Sequence, residues 1–242
     1  MKILALEFSS SQRSVAVVTA VHVSELQGCQ YSSTTEKFGA RLTRPSEVVV
    51  SEIIETASGK TMKPLNLVEE AMKQAGLERE QVECVAIGLG PGSYTGIRVA
   101  IALAQGWQLA RGLKLLGISS AECVATQAQA EGFEGKCAIV IDAQREEFYF
   151  AAYEMGATGL REVEPLKLAT MAELRKREKT GETLIGPEVT RWFTEGRVVF
   201  PRAGTLGRLA LERQDFVAGE KLEPIYLRET KFVKAPPARI VS

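Results

Sequence analysis

The chain has 242 residues, enough for one large core and close to the size at which a core divides into two lobes. Thirty Lys and Arg balance thirty Asp and Glu, so there is no long-range positive field to hold nucleic acid by counterion release, and any RNA contact has to be local or borrowed. With 45% hydrophobic and 25% charged residues, the composition is that of an ordinary globular protein and excludes a chain disordered throughout.

Met1-Lys2 runs straight into Ile3-Leu4-Ala5-Leu6, an apolar stretch ended by Glu7 and too short for a secretory h-region, so the sequence reads as cytosolic. Residues 3–6 and 15–18 are β-rich runs flanking the polar turn Ser9-Ser10-Ser11-Gln12-Arg13, the pattern of a hairpin. A third strand is expected over about residues 47–54. The stretch between, 22–44, is polar and longer than most connections inside a domain, and reads as a surface insertion. It holds His22, the only histidine.

A helix is expected over residues 65–75, capped by Thr61, with Pro64 in its first turn and Gly76 closing it. Leu65, Leu67, Val68, Ala71, Met72 and Ala75 cover an arc of roughly 160°, wider than the approximately 100° needed to pack on one sheet. Either the helix is buried within its own fold or something else covers the remainder.

Residues 82–89 form a nearly continuous apolar strand. The turn Gly88-Leu89-Gly90-Pro91-Gly92 then leads into a helix over residues 94–110 that is hydrophobic almost all round, so both its faces should be covered. A strand at 114–118, a helix at 119–130 and a strand at 138–141 ending on Asp142 follow, with a hairpin arm at 147–153. The last third reads as a charged helix at 171–179, a strand at 183–185, a helix at 205–216 and a tail from 231. Arg175-Lys176-Arg177, flanked by Glu173 and Glu178, reads as a solvated helix face. Four cysteines, Cys29, Cys84, Cys123 and Cys137, lack C-x-x-C spacing and argue against a zinc knuckle or redox pair.

The glycine-rich turn has the strand–turn–helix context of a phosphate cradle. However, no Lys follows its last glycine and the spacing fits neither the Walker pattern nor the dinucleotide fingerprint. Gly92, Gly96, Ala100 and Ala104 instead recur every four residues, a helix face that admits close approach of another element, from the same chain or from a partner. Ser93 and Thr95 suit the cap of this helix. Ser93 lacks a nucleophile-elbow frame and a histidine to activate it, and a metallopeptidase would need a second histidine.

An acid at a strand end before a hairpin occurs twice, at Ile3-Leu4-Ala5-Leu6-Glu7 and at Ala138-Ile139-Val140-Ile141-Asp142. This is the layout of two-lobed actin-like ATPases, whose paired turns hold nucleotide phosphates. An active ATPase or small-molecule kinase using Glu7 and Asp142 is therefore one reading. A strand-ending role for each acid is the other. The second lobe, of about 80 residues, is small for an adenosine pocket.

The run Gly88-Leu89-Gly90-Pro91-Gly92-Ser93-Tyr94-Thr95-Gly96-Ile97-Arg98, with Ala104-Gln105-Gly106 later in the helix, closely resembles the signature of the TsaB (YeaZ) family. Leu116-Gly117-Ile118-Ser119, Ile141-Asp142-Ala143, Phe148-Tyr149 and Tyr226-Leu227-Arg228 extend the resemblance over nearly the whole chain. The resemblance implies an actin-like α/β fold with an N-terminal lobe at 1–118, joined by a C-terminal helix at about 202–230, a reduced second lobe at 119–201 and a tail at 231–242. It also implies a non-catalytic scaffold for a TsaD-like paralogue that forms N6-threonylcarbamoyladenosine at position 37 of tRNA with a TsaE-like ATPase. ATP and magnesium would belong to those partners, and the isolated chain would form a homodimer. The implied partner interface lies on the two long helices at Leu65, Val68, Met72, Gly92, Gly96, Ala100 and Ala104. A nucleotide at the junction would meet Glu7, Ser9, Asp142 and Arg145. Glu7-Phe8-Ser9 stands where the family usually has Asp-Thr-Ser, the insertion is unusual, and a His common at the start of the first long helix is missing. The first departure weakens an independent metal–nucleotide role.

Overall fold

The computed structural model describes residues 1–21, 46–56, 63–157 and 159–227. The expectations for residues 22–44 with His22 and Cys29, for Thr61 and for the tail from 231 lie outside them.

Two five-stranded sheets make the framework. The first contains β1 (Lys2–Glu7), β2 (Gln12–Val21), β3 (Ser46–Thr56), β4 (Cys84–Gly88) and β5 (Lys114–Ile118), in the order β3-β2-β1-β4-β5. The second contains β6 (Gly135–Asp142), β7 (Glu147–Gly156), β8 (Gly159–Thr170), β9 (Thr183–Gly186) and β10 (Arg197–Val198), in the order β10-β9-β6-β7-β8. Read from β8, the second order repeats the first: third, second, first, fourth and fifth strand of each set. The directions repeat as well. In each sheet the first three strands pair antiparallel and the fourth and fifth run parallel to the first. The sequence echo at 3–7 and 138–142 is therefore β1 and β6, the central strands of an actin-like duplicated fold.

Both central strands read as unbroken apolar runs because both their faces are covered. Leu4 and Leu6 join the core beneath α1 (Pro64–Ala75) and α2 (Tyr94–Arg111), while Ile3 and Ala5 face α5 (Ala203–Leu211) on the opposite side. In the second sheet Ile139 and Ile141 pack under α3 (Ser120–Ala130), and Ala138 and Val140 lie with Leu174 of α4 (Met171–Lys179).

The structure departs from expectation in several elements. α1 has Lys63 at its N-cap with no side-chain cap, and Pro64 fills the first turn. Leu67, Val68, Ala71 and Met72 are buried in the chain's own core, and the excess of its apolar arc is Leu65, 57% exposed. α2 is covered on one face only. Gly96, Ile97, Ala100, Ile101 and Ala104 are buried, while Thr95, Arg98, Ala102, Gly106 and Leu109 face solvent. β8 was unexpected. α5 ends at Leu211, and the chain then runs back over the first sheet as a strap. Val217 N–H donates to Leu115 O (3.0 Å), Gly219 is held by Gln105 and Gln108 of α2, and Ile225 N–H donates to Leu89 O (2.9 Å). Arg177 does not belong to a solvated face: it lies over the Phe150 ring and donates to Glu164 and Glu182.

Candidate functional site: the cleft between the sheets

A cleft of about 1670 Å³ opens where the strand ends of the two sheets face each other. Its walls are the β1–β2 hairpin (Ser9, Ser10, Ser11, Arg13), the start of α2 (Gly92, Ser93, Tyr94), the β6–β7 hairpin (Asp142 to Arg145, and Glu147), Pro187 and Glu188 after β9, and the end of the strap (Tyr226, Leu227).

Glu7 is not among them. It is fully buried, with Oε1 accepting from Ser9 N–H (2.8 Å) and Oε2 from the Ser120 hydroxyl (2.9 Å). A side chain on Gly88 would overlap this carboxyl, since a Cβ there would stand 2.0 Å from Oε2. Ser120, the first residue of α3, also accepts from Gly90 N–H (3.1 Å) and donates its own N–H to Gly90 O (2.7 Å). Burial pushes the Glu7 carboxyl above its ordinary pKa, and the bonds from Ser9 and Ser120 offset this only in part. Glu7 is therefore an internal pin joining the first hairpin, the glycine-rich turn and α3. The reading that places it on a metal or nucleotide gains no support from this geometry: the carboxyl is fully buried, accepts from two protein donors and does not line the cleft.

The glycine-rich turn is shaped by close approach. Ser93 N–H donates to Ser9 O (2.6 Å), and a Cβ on Gly92 would come within 2.1 Å of that same oxygen. Gly96 faces Phe8 in the same way, with Phe8 O 2.0 Å from where a Cβ would stand. Ser93 is the N-cap of α2, accepting from Gly96 N–H (3.4 Å), whereas Thr95 is exposed and makes no cap. The small-residue stripe is thus used within the chain: Gly96, Ala100 and Ala104 lie against the first sheet, and Val68 and Met72 are in the same core. Of the residues expected at a partner interface, only Leu65 is open to solvent on the helices.

On the opposite wall Gln144, Arg145 and Glu146 all take left-handed backbone conformations, with φ of 64°, 57° and 62°. Three such residues in succession cost of order 1–3 kcal/mol each. The turn is held by Asp142, whose carboxylate accepts from Gln144 N–H (2.7 Å) and Nε2–H (3.2 Å), and by Ala143 N–H to Glu147 O (3.0 Å). Asp142 is thereby tied to its own turn, while Arg145 is exposed. Ser9 lines the cleft but is 4% exposed.

Of the four nucleotide candidates, the cleft brings together Ser9, Asp142 and Arg145 and leaves out Glu7. Sequence reasoning passed over Ser120, Arg13 and the stacked pair Tyr94 and Tyr226. Tyr226-Leu227-Arg228 was noted as a motif, but nothing in the sequence indicates that Tyr226 reaches Tyr94. Among the described residues no group of three His, Cys, Asp or Glu side chains could hold a metal ion, and no helix is long and apolar enough to cross a membrane. The surface offers hydroxyls, the exposed Arg145 and aromatic faces beside the carboxylates of Asp142, Glu147 and Glu188.

Comparison with known proteins places this geometry in a family. Residues 49–229 match the family model described as TsaD, tRNA N6-adenosine threonylcarbamoyltransferase. The chain is 27% identical over 196 residues to the tRNA threonylcarbamoyladenosine biosynthesis protein TsaB of Escherichia coli K12, covering 74% of this chain and 85% of that one. It is 33% identical over 113 residues to the TsaB of Haemophilus influenzae, about half of each chain (46% and 47%). The solved structure of YeaZ from Pseudomonas aeruginosa shares the fold, with a TM-score of 0.68, 22% identity and coverage of 93% of this chain and 99% of that one. The duplicated sheets, the glycine-rich turn packed on the first hairpin and these matches together show that the chain belongs to the TsaD family, in its TsaB (YeaZ) branch.

Proposed function

We propose that the chain takes part in forming N6-threonylcarbamoyladenosine at position 37 of tRNA as a non-catalytic subunit that binds and supports a TsaD-like transferase of its own family. The observation that carries this reading is the uncovered side of α2. Ala102, Gly106 and Leu109 face solvent there, Leu109 at 89% exposure, and Leu65 of α1 adds 57% exposure on the same side of the sheet. Small and apolar residues on an exposed helix face favour close docking of another helix. This replaces Gly92, Gly96, Ala100 and Ala104 as the face that meets the partner. A second copy of the chain would use the same face when the partner is absent. A TsaE-like ATPase, ATP, magnesium and the tRNA itself are then met through the complex. The sealing of Glu7 counts against an independent ATPase.

Pull-down with the TsaD-like paralogue and reconstitution of the modification test the reading. Full modification without this chain overturns it. Gly106→Arg and Ala102→Glu should abolish co-purification while leaving the fold intact, since nothing lies within 4 Å of a Cβ placed on Gly106 and Ala102 is exposed. Binding that survives both changes places the interface elsewhere.

A further inference from the structure

The strap that crosses the first sheet ends on an exposed aromatic pair. Tyr226 stacks on Tyr94, with ring centroids 5.4 Å apart and planes inclined by 26°. The guanidinium carbon of Arg98 lies 4.3 Å from the centre of the Tyr94 ring. Tyr94 therefore contacts both Arg98 and Tyr226, and the three form one stacked cluster with Tyr94 at its centre and Tyr226 as its outer ring. Both rings stay exposed, Tyr94 at 54% and Tyr226 at 40%, and both line the cleft. The outer ring is fixed from behind: Ile225 N–H donates to Leu89 O, and Leu222 is buried in the core. Much of the conformational entropy that a ligand would otherwise have to remove is therefore already lost.

We infer that this stack is a platform for a base of single-stranded RNA, on the reading that the chain serves a complex acting on tRNA. Unstacked bases bind aromatic faces and arginine planes because every base presents a π-face, whatever its sequence. The shape of the site favours a base in a strand over a free nucleotide. Pockets that bury about 70–90% of a small ligand have volumes of about 300–1,000 Å³. Here the platform stands at the mouth of a larger open cleft and covers a ring from one side only. Arg145, exposed, lies along the same cleft and is the cation that phosphates of a strand would meet, since Arg13 is paired with Glu55 (3.8 Å) and Asp142, Glu147 and Glu188 also line the cleft. With no net charge on the chain, the stack adds affinity to an RNA already held by the complex and does not recruit it.

The test is tRNA modification by the reconstituted complex with Tyr226→Ala, Tyr94→Ala and Tyr226→Phe. Both alanine variants should raise KM for tRNA by about 5- to 100-fold, and the phenylalanine variant should stay within about twofold of wild type, with kcat and partner co-purification unchanged. An unchanged KM in both alanine variants overturns the inference. So does loss of partner binding by Tyr226→Ala with the fold intact, which assigns the stack to a protein contact. AMP that competes with tRNA for the wild type but not for Tyr226→Ala also overturns it, in favour of a mononucleotide. If the wild-type chain supports no modification at all, the subunit reading has failed separately. Ultraviolet crosslinking of the chain alone to a short single-stranded oligonucleotide then decides: a crosslink at Tyr226 supports the platform, and its absence overturns it.

Discussion

A carboxyl sealed in a core with no cation beside it is costly to ionise, and Glu7 is such a group. Its folded pKa lies above the ordinary value, first because of burial. Between the two values the folded chain binds more protons than the unfolded chain, so its contribution to stability falls as pH rises through that window and stays low above it. Glu7→Gln removes the titration. Thermal unfolding should show the wild type gaining on the variant as pH is lowered from the raised folded pKa towards the ordinary carboxylate value; a constant difference between them would refute the linkage. Ser120→Ala leaves both Gly90 N–H and Glu7 Oε2 short of a partner and should cost about 1–3 kcal/mol in denaturant unfolding. The acid at the end of β1 was legible in the sequence, but its sealing was not. The sealing depends on Gly88, whose missing side chain makes room, and on Ser120, 113 residues away, and neither distance can be read along a chain.

α2 shows what helix periodicity conveys and where it stops. The four-residue repeat of small side chains correctly marks a face of close approach, yet the approach is to Phe8 and Ser9 of the same chain. A repeat fixes spacing and leaves the neighbour open. Two glycines on this helix should therefore respond oppositely to the same change. Gly96→Ala forces a Cβ against the Phe8 carbonyl and should destabilise by about 1–3 kcal/mol or more. Gly106→Ala meets nothing within 4 Å and should stabilise by about 0.5–1 kcal/mol. Melting temperatures of the two variants check both signs. β8 escaped notice for a different reason. Pro165 interrupts its alternation, and the strand accommodates this proline at a sheet edge, where the pairing shifts between Phe150 and Ala152.

At the scale of the molecule, the two central strands were legible because each is a continuous apolar run ending in an acid, and their recurrence announced a duplicated fold. What could not be read was how the halves are closed. α5 follows the whole second sheet in the chain, yet it covers the far face of the first: Leu206 and Ala210 pack with Ile3, Ala5, Ala16 and Val18, and Arg202 is paired with Glu52 of β3 (2.8 Å). A chain ending at residue 200 leaves that face bare and should lose cooperative thermal unfolding, as followed by circular dichroism. The same back-crossing has a consequence during synthesis. At roughly 5–20 residues per second, β1 waits about 10–40 s for the helix that covers it. Through that interval one face of the growing sheet is available to chaperones, and the first sheet cannot finish folding before α5 has been synthesised.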